Sequence, residues 1–183
     1  MSGQAYLNLF GEQQVGYNKF YIDRRYGGLK PIGDGSYGFV ASGNDSKSGS
    51  QCAIKKIKDV FADVVDAKRI LRELKLLRHF SSHENIITIT DLMAVRPDTM
   101  QFDDVYIVTN LYESDLERII QSRQVLTDQH FQYFLYQILR ALKYVICLED
   151  YSSVMLLSYY IASGALGSHA DLFLLYPTTT LAL

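Results

Sequence analysis

The stretch Ile32-Gly33-Asp34-Gly35-Ser36-Tyr37-Gly38-Phe39-Val40 decides the fold class, because its three glycines match the pattern G-x-G-x-x-G-x-V. Glycines so spaced let backbone N–H groups approach phosphate oxygens with no Cβ in the way. The residues after the third glycine separate the folds that use such a loop. A dinucleotide-binding turn runs from its last glycine straight into a helix, whereas Phe39 to Ser42 continues as strand and turns over Asn44 to Gly49. No G-x-x-x-x-G-K-[ST] segment occurs, which argues against a P-loop nucleoside triphosphatase. The loop therefore reads as the tip of a β-hairpin, with Tyr37 a solvent-facing turn residue that offers its backbone.

Outward from this hairpin, Leu29 to Gly33, Gly38 to Gly43 and Gln51 to Ile57 form a meander of short strands. Asp63 can cap a helix whose Val64, Ala67, Ile70, Leu71, Leu74 and Leu77 recur at three and four, ending near His79. Strands resume at Ile86 to Val95 and Asp104 to Leu111, around a turn from Arg96 to Asp103. The result is an α+β unit of five strands and one helix. Ser114 and Glu117 suit a capping box for a short helix to about Arg123. Thr127 starts a longer helix with a stripe of Phe131, Phe134, Leu135, Ile138, Leu142 and Val145. Met1 to Asp23 shows no sustained period and is expected to be a loosely held extension, or one packed in trans.

On the strand Cys52-Ala53-Ile54-Lys55, alternation puts Ala53 and Lys55 on one face and Ile54 and Lys56 on the other. A small Ala53 leaves room for a flat base, and a cationic Lys55 one strand-step further can reach phosphates; Lys56 is expected to be its solvated neighbour. Glu73 lies on the helix face that carries Ile70, Leu74 and Leu77. A carboxylate among apolar neighbours is costly unless paired, and Lys55 is its natural partner.

Glycine hairpin, strand lysine and helix glutamate in this order resemble the N-terminal lobe of a eukaryotic protein kinase. The resemblance narrows to mitogen-activated protein kinases. Phe61, with ten residues between it and Arg72-Glu73, looks like the first half of that family's signature. Arg72 to Leu77 with His83-Glu84-Asn85-Ile86 is similar to its helix C and following turn, and Tyr133 to Val145 to its helix E. Tyr106 to Tyr112 looks like the fifth strand and hinge, which implies Thr109 as gatekeeper, Asn110, Leu111 and Tyr112 at the adenine, and Asp115 at the ribose. Ile32 to Gly38, Val40, Ala53 and Lys55 are implied at the nucleotide, with Lys55 and Glu73 as the catalytic pair. Arg69 and Arg72 resemble arginines that read a phosphorylated activation loop, although from the residues alone they form a solvated basic face.

The resemblance divides the chain into an N-terminal extension, 1–23, a kinase N-lobe with five-stranded antiparallel sheet and helix C, 24–112, helices D and E, 113–145, and an unrelated apolar tail, 146–183. All 18 lysines and arginines lie before Ile146, and the tail's charges are Glu149, Asp150 and Asp171. Such a break suggests a retained intron, frameshift or splice variant, or a deliberate replacement; a covering role for the tail over the long helix is a further expectation. No His-Arg-Asp occurs after the long helix, and there is no Asp-Phe-Gly, Thr-x-Tyr or Ala-Pro-Glu. The base and both Mg²⁺-holding residues of the family are thus missing from these residues. The resemblance implies an ATP-binding fragment of a serine/threonine kinase in a signalling cascade, inactive as this chain, with an upstream kinase or scaffold as partner. The alternative is a non-catalytic competitor isoform.

Composition narrows the classes further. The net charge of -2 over 183 residues gives no long-range attraction to nucleic acid. Val154 to Leu175 is mostly apolar, but it contains His169 and Asp171, and a central Asp costs about 2.5–3.5 kcal/mol on insertion, so a membrane span is disfavoured. His79, His83, His130 and His169 have no zinc-ligand constellation. Two cysteines, Cys52 and Cys147, and no basic-then-apolar leader suggest a reducing compartment, cytosol or nucleus.

Overall fold

A computed structural model describes residues 9–35, 38–94, 102–114 and 116–147. The strands are β1 (Phe10–Val15), β2 (Asn18–Asp23), β3 (Tyr26–Gly35), β4 (Gly38–Asp45), β5 (Gln51–Ile57), β6 (Ile89–Ala94) and β7 (Val105–Asn110). The helices are α1 (Val64–His79), α2 (Leu116–Gln121) and α3 (Asp128–Cys147). The chain divides into two compact units, Met1–Glu73 with Ile89–Leu111, and Leu74–Thr88 with Tyr112–Leu183.

In the first unit five strands form an antiparallel sheet of order β3-β4-β5-β7-β6. Directly paired residues of antiparallel strands share a face. Val40 pairs with Lys55 and Lys55 with Ile107, while Ser42 pairs with Ala53 and Ala53 with Thr109. These six side chains stand on one face. The other carries Phe39, Ala41, Cys52, Ile54, Tyr106 and Val108, all buried.

The hairpin β1–β2 buries that second face. Phe10, Val15, Phe20 and Ile22 join the same apolar cluster, and Phe20 and Ile22 are 0% exposed. Full burial of such a side chain stabilises by about 1.5–3 kcal/mol. The Tyr106 hydroxyl accepts the Tyr21 N–H at 3.0 Å, tying hairpin to sheet. The expectation of a loosely held or trans-packed extension is therefore corrected over Phe10–Asp23. The alternation of Asn18, Phe20 and Ile22 is the strand signal that the scattered glycines obscured. Gly16 makes the turn with a left-handed φ of 58°.

Asp63 caps α1 as expected: its Oδ1 accepts the N–H groups of Val65 at 2.6 Å and Asp66 at 3.2 Å. The helix buries Ile70, Leu76 and Leu77 but leaves Val64 and Leu71, both expected on the apolar face, exposed.

In the second unit, the turn His83-Glu84-Asn85-Ile86 is fastened to α3 residue by residue. His83 stacks on Tyr144 at 4.7 Å, Glu84 pairs with Arg140, and the buried Asn85 amide donates to the buried Gln137. Ser82 Oγ lies 2.6 Å from the Tyr144 hydroxyl. Residues 137, 140 and 144 form one helical face. The buried row of α3 is accordingly Phe134, Gln137, Ala141 and Val145. The expected stripe is corrected: Phe131 and Leu135 are exposed, as are Leu139 and Ile146. Periodicity weighted toward large apolar side chains passes over Gln137 and Ala141. At the start of α3, His130 Nδ1 accepts the Thr127 N–H at 3.0 Å, the part a Glu plays in a capping box.

Asp115, the Glu117 side chain and the tail beyond Cys147 lie outside the described residues. Among the described residues no helix is long and apolar enough to cross a membrane.

Candidate functional site

Strand pairing puts Lys55 near the middle of the sheet, with β4 on one side and β7 on the other. Its Nζ is 3.8 Å from Glu73 Oε1, and the two side chains are 16% and 21% exposed. The distance exceeds hydrogen-bond reach, so the contact is a Coulombic pair, which leaves the Lys55 ammonium able to take a further acceptor. Glu73 faces Lys55 because Ile70 and Leu77, three residues before and four after it, are both buried.

Val40, Ala53 and Thr109, predicted around the nucleotide, are half-buried and share the sheet face of Lys55. Thr109 Oγ1 donates to the Asn110 carbonyl at 3.2 Å. Asn110 is exposed and Leu111 half-buried. Tyr112 belongs to the second unit, and burial pushes its phenol pKa up.

The glycine hairpin separates into residues with different physical duties. Gly33 has nothing within 4 Å of where a Cβ would stand, so the open space lies over its backbone. Gly38 is the opposite case: its φ is 152°, and a Cβ there would lie 2.2 Å from the Lys56 carbonyl oxygen. The fold itself demands that glycine. Ile32 is the extra residue of a bulge between the pairs Pro31–Ala41 and Gly33–Val40, and it is exposed. Asp34 pairs with Phe39, so its carboxylate points to the hairpin side, where it accepts the Tyr17 hydroxyl. That bond raises the Tyr17 pKa. Ser36, Tyr37 and the burial of Gly35 lie outside the described residues.

Lys56 is the functional contrast that sequence reasoning missed. Far from solvated, it is 7% exposed. Its Nζ lies 2.7 Å from Asp104 Oδ2 and donates to the Lys19 carbonyl at 2.6 Å. Burial pulls its pKa down, but the bond to Asp104 and the nearby Tyr106 outweigh this and leave it raised. The alternation rule did put Lys56 on the face opposite Lys55. It lacked the hairpin that closes that face and the β5–β7 register that brings Asp104 alongside.

Arg69 Nη1 pairs with Asp66 Oδ1 at 3.3 Å on an exposed surface, and Arg72 is half-buried. Among the described residues no group of three or more His, Cys, Asp or Glu side chains could hold a metal ion.

Comparison with known proteins supports the same fold. The protein kinase domain family matches residues 26–148, more than half of the chain. Mitogen-activated protein kinase 4a of Physcomitrium patens is 53% identical over 147 residues, which cover 79% of this chain and 38% of that protein. Mitogen-activated protein kinase 4 of Arabidopsis thaliana is 50% identical over 129 residues, 70% of this chain and 34% of that protein. Extracellular signal-regulated kinase 1 of Dictyostelium discoideum is 50% identical over 129 residues, 70% of this chain and 24% of that protein. The chain thus spans between 24% and 38% of the length of these relatives. With a sheet of five antiparallel strands, a paired strand lysine and helix glutamate, and these homologues, the chain belongs to the protein kinase domain family, in the part that mitogen-activated protein kinases share.

Proposed function

We propose that the first unit binds ATP, with the triphosphate over the backbone of Gly33 to Gly38, Lys55 against its phosphates, and adenine at Asn110 and Leu111. The observation that supports this most is the Lys55–Glu73 pair at 3.8 Å, on the sheet face that Val40, Ala53 and Thr109 share. A paired lysine is held extended, and a pair too long for a hydrogen bond leaves its ammonium free to take a phosphate oxygen. The unfilled space over Gly33 suits the close approach of an anion. The Asp34 carboxylate, engaged by Tyr17, leaves only the backbone of that residue for such a contact.

The described residues do not fit the Mg²⁺ that accompanies the nucleotide in this family, so no step is derived through it. The 183 residues contain no His-Arg-Asp and no Asp-Phe-Gly, and a general base alone contributes about 10²- to 10⁴-fold to such reactions. By themselves these residues bind nucleotide without transferring its phosphoryl group to a serine or threonine. Calorimetric titration of the chain with an ATP analogue tests the binding. Lys55→Met should weaken it by about 10- to 100-fold, the worth of one charged hydrogen bond; unchanged affinity in this variant would count against the reading.

A second reading, a non-catalytic competitor for an upstream kinase or scaffold, draws support from the exposed apolar side chains Phe131, Leu135 and Leu139 on α3. Capture of a purified upstream kinase by this chain, lost in Leu135→Glu, is the result it expects.

A further inference from the structure

Tyr17 is a large aromatic residue that the core does not use. It is 73% exposed, in the two-residue turn that joins the paired strand ends Val15 and Asn18. Gly16 takes the left-handed φ that such a turn requires, which leaves Tyr17 in ordinary backbone geometry. The ring meets Phe39 edge to face at 5.5 Å, and the hydroxyl donates to the Asp34 carboxylate. A side chain so exposed gains little from apolar burial, so these two contacts define its place. The turn itself is held from below: Lys56 Nζ donates to the Lys19 carbonyl, and Phe20 packs on Phe39 at 5.8 Å. Phe39 is the strand partner of both Asp34 and Lys56. Tyr17 therefore reaches Asp34 from a support fixed to the same strands that carry it.

Asp34 needs such a hold. Its chain neighbours are Gly33 and Gly35, the residue type that limits the backbone least, so the local chain does not by itself fix where the carboxylate points. Asp34 is exposed, and in the nucleotide reading a triphosphate lies along this same backbone. A carboxylate 4 Å from a phosphate oxygen lowers affinity by about 5-fold even with the full screening of water. Asp34 pairs with Phe39, so its side chain starts on the face opposite Lys55, and the Tyr17 hydroxyl engages it there.

We propose that Tyr17 is a positioning residue for the nucleotide: by holding the Asp34 carboxylate on the β1–β2 side of the sheet, its hydroxyl keeps a negative charge off the phosphates and leaves them the backbone of Gly33 and Asp34. The purpose of this contact rests on the ATP reading; its geometry rests on the Tyr17–Asp34 hydrogen bond alone.

The test compares the full chain with Tyr17→Phe, which keeps the ring on Phe39 and removes the hydroxyl. Calorimetric titration with an ATP analogue should show about 5-fold weaker binding in the variant, while adenosine, which carries no phosphate, should bind both proteins alike. Adding Asp34→Asn to Tyr17→Phe should restore the affinity for the ATP analogue, since the repelling charge is gone. A merely structural role for the hydroxyl predicts instead that the double variant binds no better than the single one. Equal affinity for the ATP analogue in Tyr17→Phe, an equal loss for adenosine, or no recovery in the double variant would each overturn the proposal. The contact itself is read without nucleotide: amide resonances of Gly33, Asp34 and Gly35 in the ¹⁵N-labelled chain should shift in Tyr17→Phe, and their constancy would also overturn it. ATP-analogue binding that depends on Lys55 but is indifferent to Tyr17 would remove the positioning role alone. Failure of the unaltered chain to bind the analogue, with those amide shifts present, would remove the ATP reading and the positioning role together.

Discussion

Lys56 Nζ sits 2.7 Å from Asp104 Oδ2 on one face of the sheet, one residue along the strand from the Lys55 that faces Glu73 on the other. Two adjacent lysines thus have separate duties. Lys56 joins β5, the hairpin carbonyl of Lys19 and the start of β7. Its loss should be a folding defect: Lys56→Met is expected to lower stability by about 2 kcal/mol, the scale of a charged hydrogen bond, while Lys55→Met, which removes a longer pair with Glu73, should cost about 1 kcal/mol or less. Urea melts of the two variants check the contrast.

The glycines divide in the same way. Gly38→Ala forces a Cβ to 2.2 Å from a backbone oxygen at φ 152°, and should cost about 3 kcal/mol or prevent folding. Gly33→Ala meets open space and should leave the thermal midpoint nearly unchanged. Reduced ATP-analogue affinity in a normally folded Gly33→Val would show that this glycine serves the ligand; full affinity would remove it from the site.

Much of the fold was legible in the chain. Period-two alternation marked the strands, and the lysine on its strand with the glutamate on its helix anticipated the pair that they form. The features that escaped were set by distant partners. Lys56 and Asp104 meet only through strand register, and Gln137 enters the buried row of α3 only because Asn85 needs an acceptor. The β1–β2 hairpin escaped for a different reason, since Gly11 and Gly16 interrupt an alternation that Phe20 and Ile22 carry.

The Asn85–Gln137 contact offers a test within the second unit. Gln137→Leu strands a buried amide and should cost about 2 kcal/mol, whereas adding Asn85→Leu should recover part of that loss. Additive losses in the double-mutant cycle would mean that the two amides are not coupled.

Alkaline pH should destabilise the first unit. Burial is the main cause that raises Tyr26 and Tyr106 above the usual 10.0, and Lys56 is raised above 10.5 by Asp104 despite burial. The folded chain then holds protons that the unfolded chain releases, so this stability is complete below about pH 10 and falls as pH rises further. Denaturant midpoints between about pH 9 and 11 should decline, and Tyr106→Phe should flatten the decline. A midpoint rising over that range would contradict the assignment.

Lys55, not its neighbour, is the lysine proposed to meet nucleotide phosphate. An ATP acyl phosphate transfers its acyl group to an amine beside the phosphates, and peptide mass spectrometry locates the modified lysine. Acylation of Lys55 that excess ATP prevents, with Lys56 unmodified, is the predicted result; ATP-sensitive acylation at Lys56, or acylation of Lys55 indifferent to ATP, would contradict it.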